Sequence, residues 1–197
     1  MRRLISAILV VTAWAACAGS RARELAVPDV RQATDYTCSA SVLQAVLAYY
    51  GVEKREDELA RELGATPDDG APPEAIVRVA TTYGLRAAKR DNMTVEDLAA
   101  EVAQGRPVIV GIQAWSGTPR TSWADAWDDG HYVIVIAVEG DQLVFEDPSV
   151  LGSRAFLSRR EFEERWHDID FGYRNIRTGI VFGGKPPVRT PARIHMD

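Results

Sequence analysis

Apolar residues settle into a helical rhythm directly after Cys38. Val42, Leu43, Val46, Leu47 and Tyr50 recur every three or four residues and Gly51 supplies the stop, so the pattern predicts a helix over 38–50. A second helix is predicted from about Arg55 to Leu63, with Leu59, Ala60 and Leu63 on one face and Gly64 as terminator. A third runs from about Pro73 to Tyr83, with Ile76, Val79, Ala80 and Tyr83 turned inward. Leu85 to Lys89 reads as a short strand, and Thr94-x-x-Asp97 as a capping box that opens a fourth helix to about Gln104.

Beyond Pro107 the rhythm changes. Val108-Ile-Val-Gly-Ile-Gln113 is rich in β-branched residues and reads as a strand; Tyr132 to Glu139 is a second, more apolar one. Gly140-Asp141 forms a tight turn and Gln142 to Glu146 returns, giving a hairpin. Asp147-Pro148-Ser149 breaks that strand. Arg154 to Leu157 reads as a further strand, Ser158-x-x-Glu161 caps a short helix through Trp166, and Ile176 to Phe182 closes the sheet. Helices first and an antiparallel sheet after is an α+β arrangement, with a helical N-terminal half packed on a C-terminal sheet.

Composition adds bounds. The chain has 197 residues, 46% hydrophobic and 26% charged, enough for one domain with a sizeable core. Its net charge of −5 and its lack of a basic stripe argue against nucleic acid as a partner. At the N-terminus Arg2 and Arg3 lead an apolar run from Leu4 to Ala16, followed by small residues, which is the layout of a secretory signal. A spanning helix needs about 20 apolar residues, more than this run supplies. Two processing patterns fit. Ala16-Cys17-Ala18 is a small-x-small cleavage site. Trp14-Ala-Ala-Cys17 resembles a bacterial lipoprotein box with Trp14 in place of the usual leucine, and would make Cys17 the lipidated residue. The expectation is a signal over 1–18, a linker over 19–26, a domain over 27–182 and a loose tail over 183–197. The protein is then exported, periplasmic or held at the outer membrane through an N-terminal lipid, with an export or secretion system among its partners.

This sharpens the chemistry. With Cys17 processed, Cys38 is the only free thiol of an exported chain and has no disulfide partner. It stands at a helix start, where the macrodipole favours an anion. It is either a nucleophile or an inert buried cysteine. A nucleophile needs a base, and the base an orienter. Of three histidines, His195 lies in the tail and His167 follows a helix end, where it reads as exposed. His131 follows Asp129-Gly130 at the mouth of the apolar strand, a rigid place from which to face a cleft. The hairpin brings Glu146-Asp147 back towards it. A turn centred on Gly140-Asp141 pairs Asp147 with Ile134, whereas one centred on Glu139 pairs it with His131; Glu146 points to the other face if the strand is regular. Gln32, six residues before Cys38, can pair its amide with the Cys38 backbone N–H around an oxyanion. Trp115 and Trp127, in the loop before His131, either line the substrate cleft or pack over the core. Scattered histidines and one thiol imply no metal, and no motif implies a cofactor.

Together, Gln32-x5-Cys38, Tyr50-Gly51, Gly130-His131-Tyr-Val-Ile-Val, Asp147-Pro148-Ser149 and Phe156-Leu-x4-Phe162-x3-Trp166 resemble the bacteriocin-processing, double-glycine leader peptidases. These are papain-like cysteine peptidases, often the N-terminal domain of ABC exporters. The resemblance spans roughly residues 27–182 and implies a papain-like fold and a peptide or protein substrate. It also implies Cys38 as nucleophile, His131 as base, Asp147 as its orienter and Gln32 as oxyanion donor. Ser39 stands where many relatives have glycine. The same site would serve acyl transfer to an amine or thiol, and the scaffold alone would serve a non-catalytic peptide-binding module. Double-glycine specificity stays open.

Overall fold

The computed structural model describes residues 24–188. The proposed signal and Cys17 lie outside them, as do the last nine residues. Five helices and eight strands follow one another as α1 (Cys38–Tyr49), α2 (Glu56–Leu63), α3 (Pro73–Thr82), β1 (Arg86–Arg90), α4 (Val95–Ala103), β2 (Val108–Gln113), β3 (Gly130–Glu139), β4 (Gln142–Glu146), β5 (Ala155–Ser158), α5 (Arg159–Arg165), β6 (His167–Asp170), β7 (Tyr173–Ile176) and β8 (Gly179–Gly183). No helix among the described residues is long and apolar enough to cross a membrane.

Helix α1 is central. Nearly every residue from Ser39 to Tyr49 is buried, because the helix is apolar almost all round. Such a helix cannot tilt or slide without opening the core, so its first residue is held fixed. Gly51, at φ 79°, turns the chain out of it in the left-handed conformation that favours glycine. Thr94 with Asp97 and Ser158 with Glu161 form the two capping boxes expected of α4 and α5.

One six-stranded sheet runs β1-β8-β2-β3-β4-β5, with every neighbour antiparallel. Strand β8 does not close it at an edge; it sits between β1 and β2. A two-stranded hairpin, β6-β7, stands apart. It was not expected from the sequence. Strand β3 is covered on both faces. Tyr132, Ile134 and Ile136 enter the core shared with α1 to α3, while Val133 and Val135 enter a second core with α4, Phe162 and Trp166.

Neither hairpin register anticipated above is adopted. Glu139 faces Gln142 across Gly140-Asp141, but the pairing slips by one between Val135 and Ala137, so that Ile134 faces Glu146. The irregularity lies in β3 and carries the end of β4 one position closer to His131 than a regular hairpin would.

Both ends of the described chain pack on the body. Glu24 pairs with Arg154, the Leu25 N–H donates to Ile136 O and Val27 is buried. At the other end the Val188 N–H donates to Tyr49 O.

Candidate active site

Three distant segments meet at the start of α1. Cys38 is the first helical residue, and Thr37 before it makes no side-chain cap, its hydroxyl being engaged with Thr34. The first amides of a helix have no intrahelical acceptor, so the Cys38 N–H is free to face a ligand. His131 enters from the mouth of β3 and Asp147 from the end of β4. Both are buried, at 6% and 4% exposure, although charged groups are rarely buried unpaired. They pair with each other: His131 Nε2 lies 2.7 Å from Asp147 Oδ1. That contact leaves Nδ1 as the other ring nitrogen, and the Cys38 side chain also favours the charged imidazole.

Asp147 is held from three sides. Oδ1 also accepts from the Ser149 N–H at 2.8 Å, and Oδ2 accepts from Trp115 Nε1 at 3.0 Å. Burial alone would raise its pKa, but the bonds from His131, Ser149 and Trp115 hold it below the usual carboxylate range. Burial likewise works against a charged His131. The Asp147 bond and then the Cys38 side chain outweigh it and lift the ring to about 9. The buried Asp147 carboxylate thus favours the imidazolium form of His131.

Gln32 is tied to the same corner, because its backbone N–H donates to Pro148 O at 3.0 Å. Its amide Nε2 donates to Thr34 O at 2.8 Å, which uses one of the two amide hydrogens. Trp127 lines the cleft beside Cys38. Trp115 does not: it borders a separate apolar groove with Val150 and Phe156 and acts on the site only through Asp147. His167, expected to be exposed, is buried at the start of β6. Its Nε2 lies 2.6 Å from Ala126 O and its ring packs, tilted by 50°, 4.5 Å from that of Trp127, so the loop before β3 folds over it.

The sequence matches the family described as Peptidase_C39 like over residues 24–173. The chain belongs to the Peptidase_C39-like family. The pediocin PA-1 transport/processing ATP-binding protein PedD of Pediococcus acidilactici is 26% identical over 142 residues. That alignment covers 70% of this chain and 17% of PedD, so the chain spans about a sixth of the relative's length. Among solved structures, one described as a C39-like peptidase from Bacillus anthracis superposes with TM-score 0.60 at 18% identity, covering 80% of this chain and 94% of that one. A double glycine motif protease from an AMS/PCAT transporter, solved with its leader peptide, superposes with TM-score 0.58 at 21% identity, covering 83% and 94%. These neighbours establish the papain-like α+β fold. Family membership makes the chain a cysteine peptidase or a peptide-binding module on that scaffold.

Three buried acids of this C39-like chain were assigned no role from the sequence. Glu146, expected on the face of β4 opposite Asp147, is 1% exposed. Its Oε1 accepts from the Val30 N–H at 2.9 Å, anchoring the segment that leads to Gln32. Burial pushes Glu146 up to about 7, and its second oxygen is buried without a partner among the described residues. Such a group favours the fold when protonated and costs stability as pH rises from its ordinary 4.5 through about 7. Glu146→Gln is expected to flatten that loss, read as urea midpoints at pH 5 and pH 8 (~3 units apart).

Asp168 and Asp170, on β6, are the other two. Asp168 presses against Gly130, where an added Cβ would land on its carboxylate. That close approach is why glycine precedes His131. Gly130→Ala is expected to cost about 1–3 kcal/mol in denaturant unfolding and to push β6 off the cleft.

Proposed function

We propose that this chain is a cysteine peptidase in which Cys38, His131 and Asp147 act as nucleophile, base and orienter. One observation supports this above all: a buried Asp147 holds the ring of His131 at 2.7 Å, and Cys38, at the start of α1, acts on the same ring and raises its pKa. The thiolate attacks the peptide carbonyl carbon. The resulting oxyanion takes hydrogen bonds from the Cys38 N–H and the second Nε2 hydrogen of Gln32. The His131 imidazolium then gives its proton to the leaving amine as the C–N bond breaks. Water, deprotonated by His131, attacks the thioester, releasing the acid and restoring the thiolate. Asp147 keeps the ring oriented throughout. Residues 1–18 support an exported location by their sequence alone.

Incubating the full chain with a peptide library and sequencing the products tests the proposal. Discrete new termini are the expected result. Retention of peptides without cleavage would instead identify a binding module, and ligation to added amines an acyltransferase.

A further inference from the structure

We infer that the cleft beside Cys38 selects peptides carrying a lysine or arginine side chain next to the bond that is cut. The inference rests on the peptidase reading and adds its substrate class. The cleft holds about 320 Å³, at the small end for ligand sites, which suits a side chain and its backbone. Six aspartates line it: Asp35, Asp68, Asp69, Asp128, Asp168 and Asp170. No lysine or arginine does. Asp128 is neutralised by Arg120 at 2.7 Å; the other five have no ion pair among the described residues.

Asp168 turns this acidity into a binding feature. It is only 5% exposed. Its Oδ1 accepts from Gln113 Nε2 at 3.1 Å and from the Ile169 N–H at 2.8 Å, so the β2–β6 packing fixes the carboxylate. Asp168 lines the cleft beside Gly130, and its Oδ2 has no hydrogen-bond partner among the described residues. Asp170, 7% exposed, is held through Oδ2 by Asn175 at 2.8 Å and Tyr132 at 3.3 Å. Its other oxygen is unbonded as well.

Two buried carboxylates side by side are costly. Burial and mutual repulsion push Asp168 up to about 7, and burial pushes Asp170 up to about 6. A cation with several N–H donors between them removes both penalties, while a glycine pair would leave them in place. The described residues hold no group of three or more His, Cys, Asp or Glu arranged to take a metal ion. An ammonium or guanidinium of a peptide substrate supplies several N–H donors on one charge.

The experiment compares matched peptides on the full chain, with lysine, arginine, norleucine or glycine placed at each position flanking the scissile bond. At one position kcat/KM for lysine or arginine should exceed that for norleucine by at least about tenfold, the scale of a charged hydrogen bond, and about 0.5 M salt should shrink the ratio. Asp168→Asn should lower it. Asp68→Asn with Asp69→Asn, on a loop outside the core, should lower it independently of any folding defect at Asp168. A ratio near one, with an uncharged acyl probe still labelling Cys38, would overturn this inference and leave the peptidase reading standing. Failure of that probe to label Cys38 would overturn both.

Discussion

Cys38→Ala is expected to lower peptide hydrolysis by roughly 10⁴-fold or more while leaving the fold intact. The size follows from the proposed mechanism, in which the Cys38 thiolate bonds to the substrate. Without it, only the oxyanion donors and the binding cleft remain, and these assist water weakly. The fold survives because Cys38 is only partly buried and lies at the rim of the core, while α1 is anchored by Leu43, Val46 and Leu47 further along. Circular dichroism and urea unfolding of the variant check the second half of the expectation. Retained hydrolysis in a folded Cys38→Ala protein would mean that the chemistry lies elsewhere.

Asp147→Asn is the second large effect, with kcat expected to fall about 10²- to 10⁴-fold. The amide keeps the shape but offers one acceptor where the carboxylate uses both oxygens, for His131 and Ser149 on one and Trp115 on the other. KM should change little, since Asp147 stands behind the ring and away from substrate. The pH profile should move as well. In the folded protein the His131 pKa is raised from 6.5 to about 9. Its protonated form therefore contributes stability that is complete below about 6.5 and lost as pH rises through about 9. Activity that depends on the imidazolium should hold to about pH 9 and decline beyond it. In Asp147→Asn the alkaline limb should shift towards the ordinary histidine value. A merely structural role would lower stability without moving that limb.

The central helix was legible because its apolar spacing and Gly51 are local signals, and with it the placement of Cys38 at a helix start. His131 was legible for a similar reason, standing at the mouth of an uninterrupted apolar strand. The exact pairing of Asp147 was not. It depends on an irregularity between Val135 and Ala137, inside a run whose residues are all apolar and give no local mark of a slip. Hairpin β6-β7 was missed because His167-Asp-Ile-Asp170 buries polar side chains and exposes Ile169, the reverse of the usual strand alternation. His167 read as exposed for the same reason: what covers it is the Ala126-Trp127 loop, forty residues earlier. Strand β8 was found but misplaced, since nothing in a strand's own residues says which neighbours it inserts between. Gly130 carried a signal that could have been pressed further. A glycine directly before a proposed base marks a close approach, and the approaching group is Asp168.

The most direct test is to trap the acyl-enzyme. The full chain is mixed with an activated peptide ester, quenched in acid after a short interval, and analysed by intact mass and peptide mapping. One acyl group per chain is expected, mapped to Cys38 and not Cys17, released by water on longer incubation and accumulating more slowly in Asp147→Asn. Turnover of the ester with no acyl group on Cys38, or equal turnover by Cys38→Ala, would rule out Cys38 as the nucleophile.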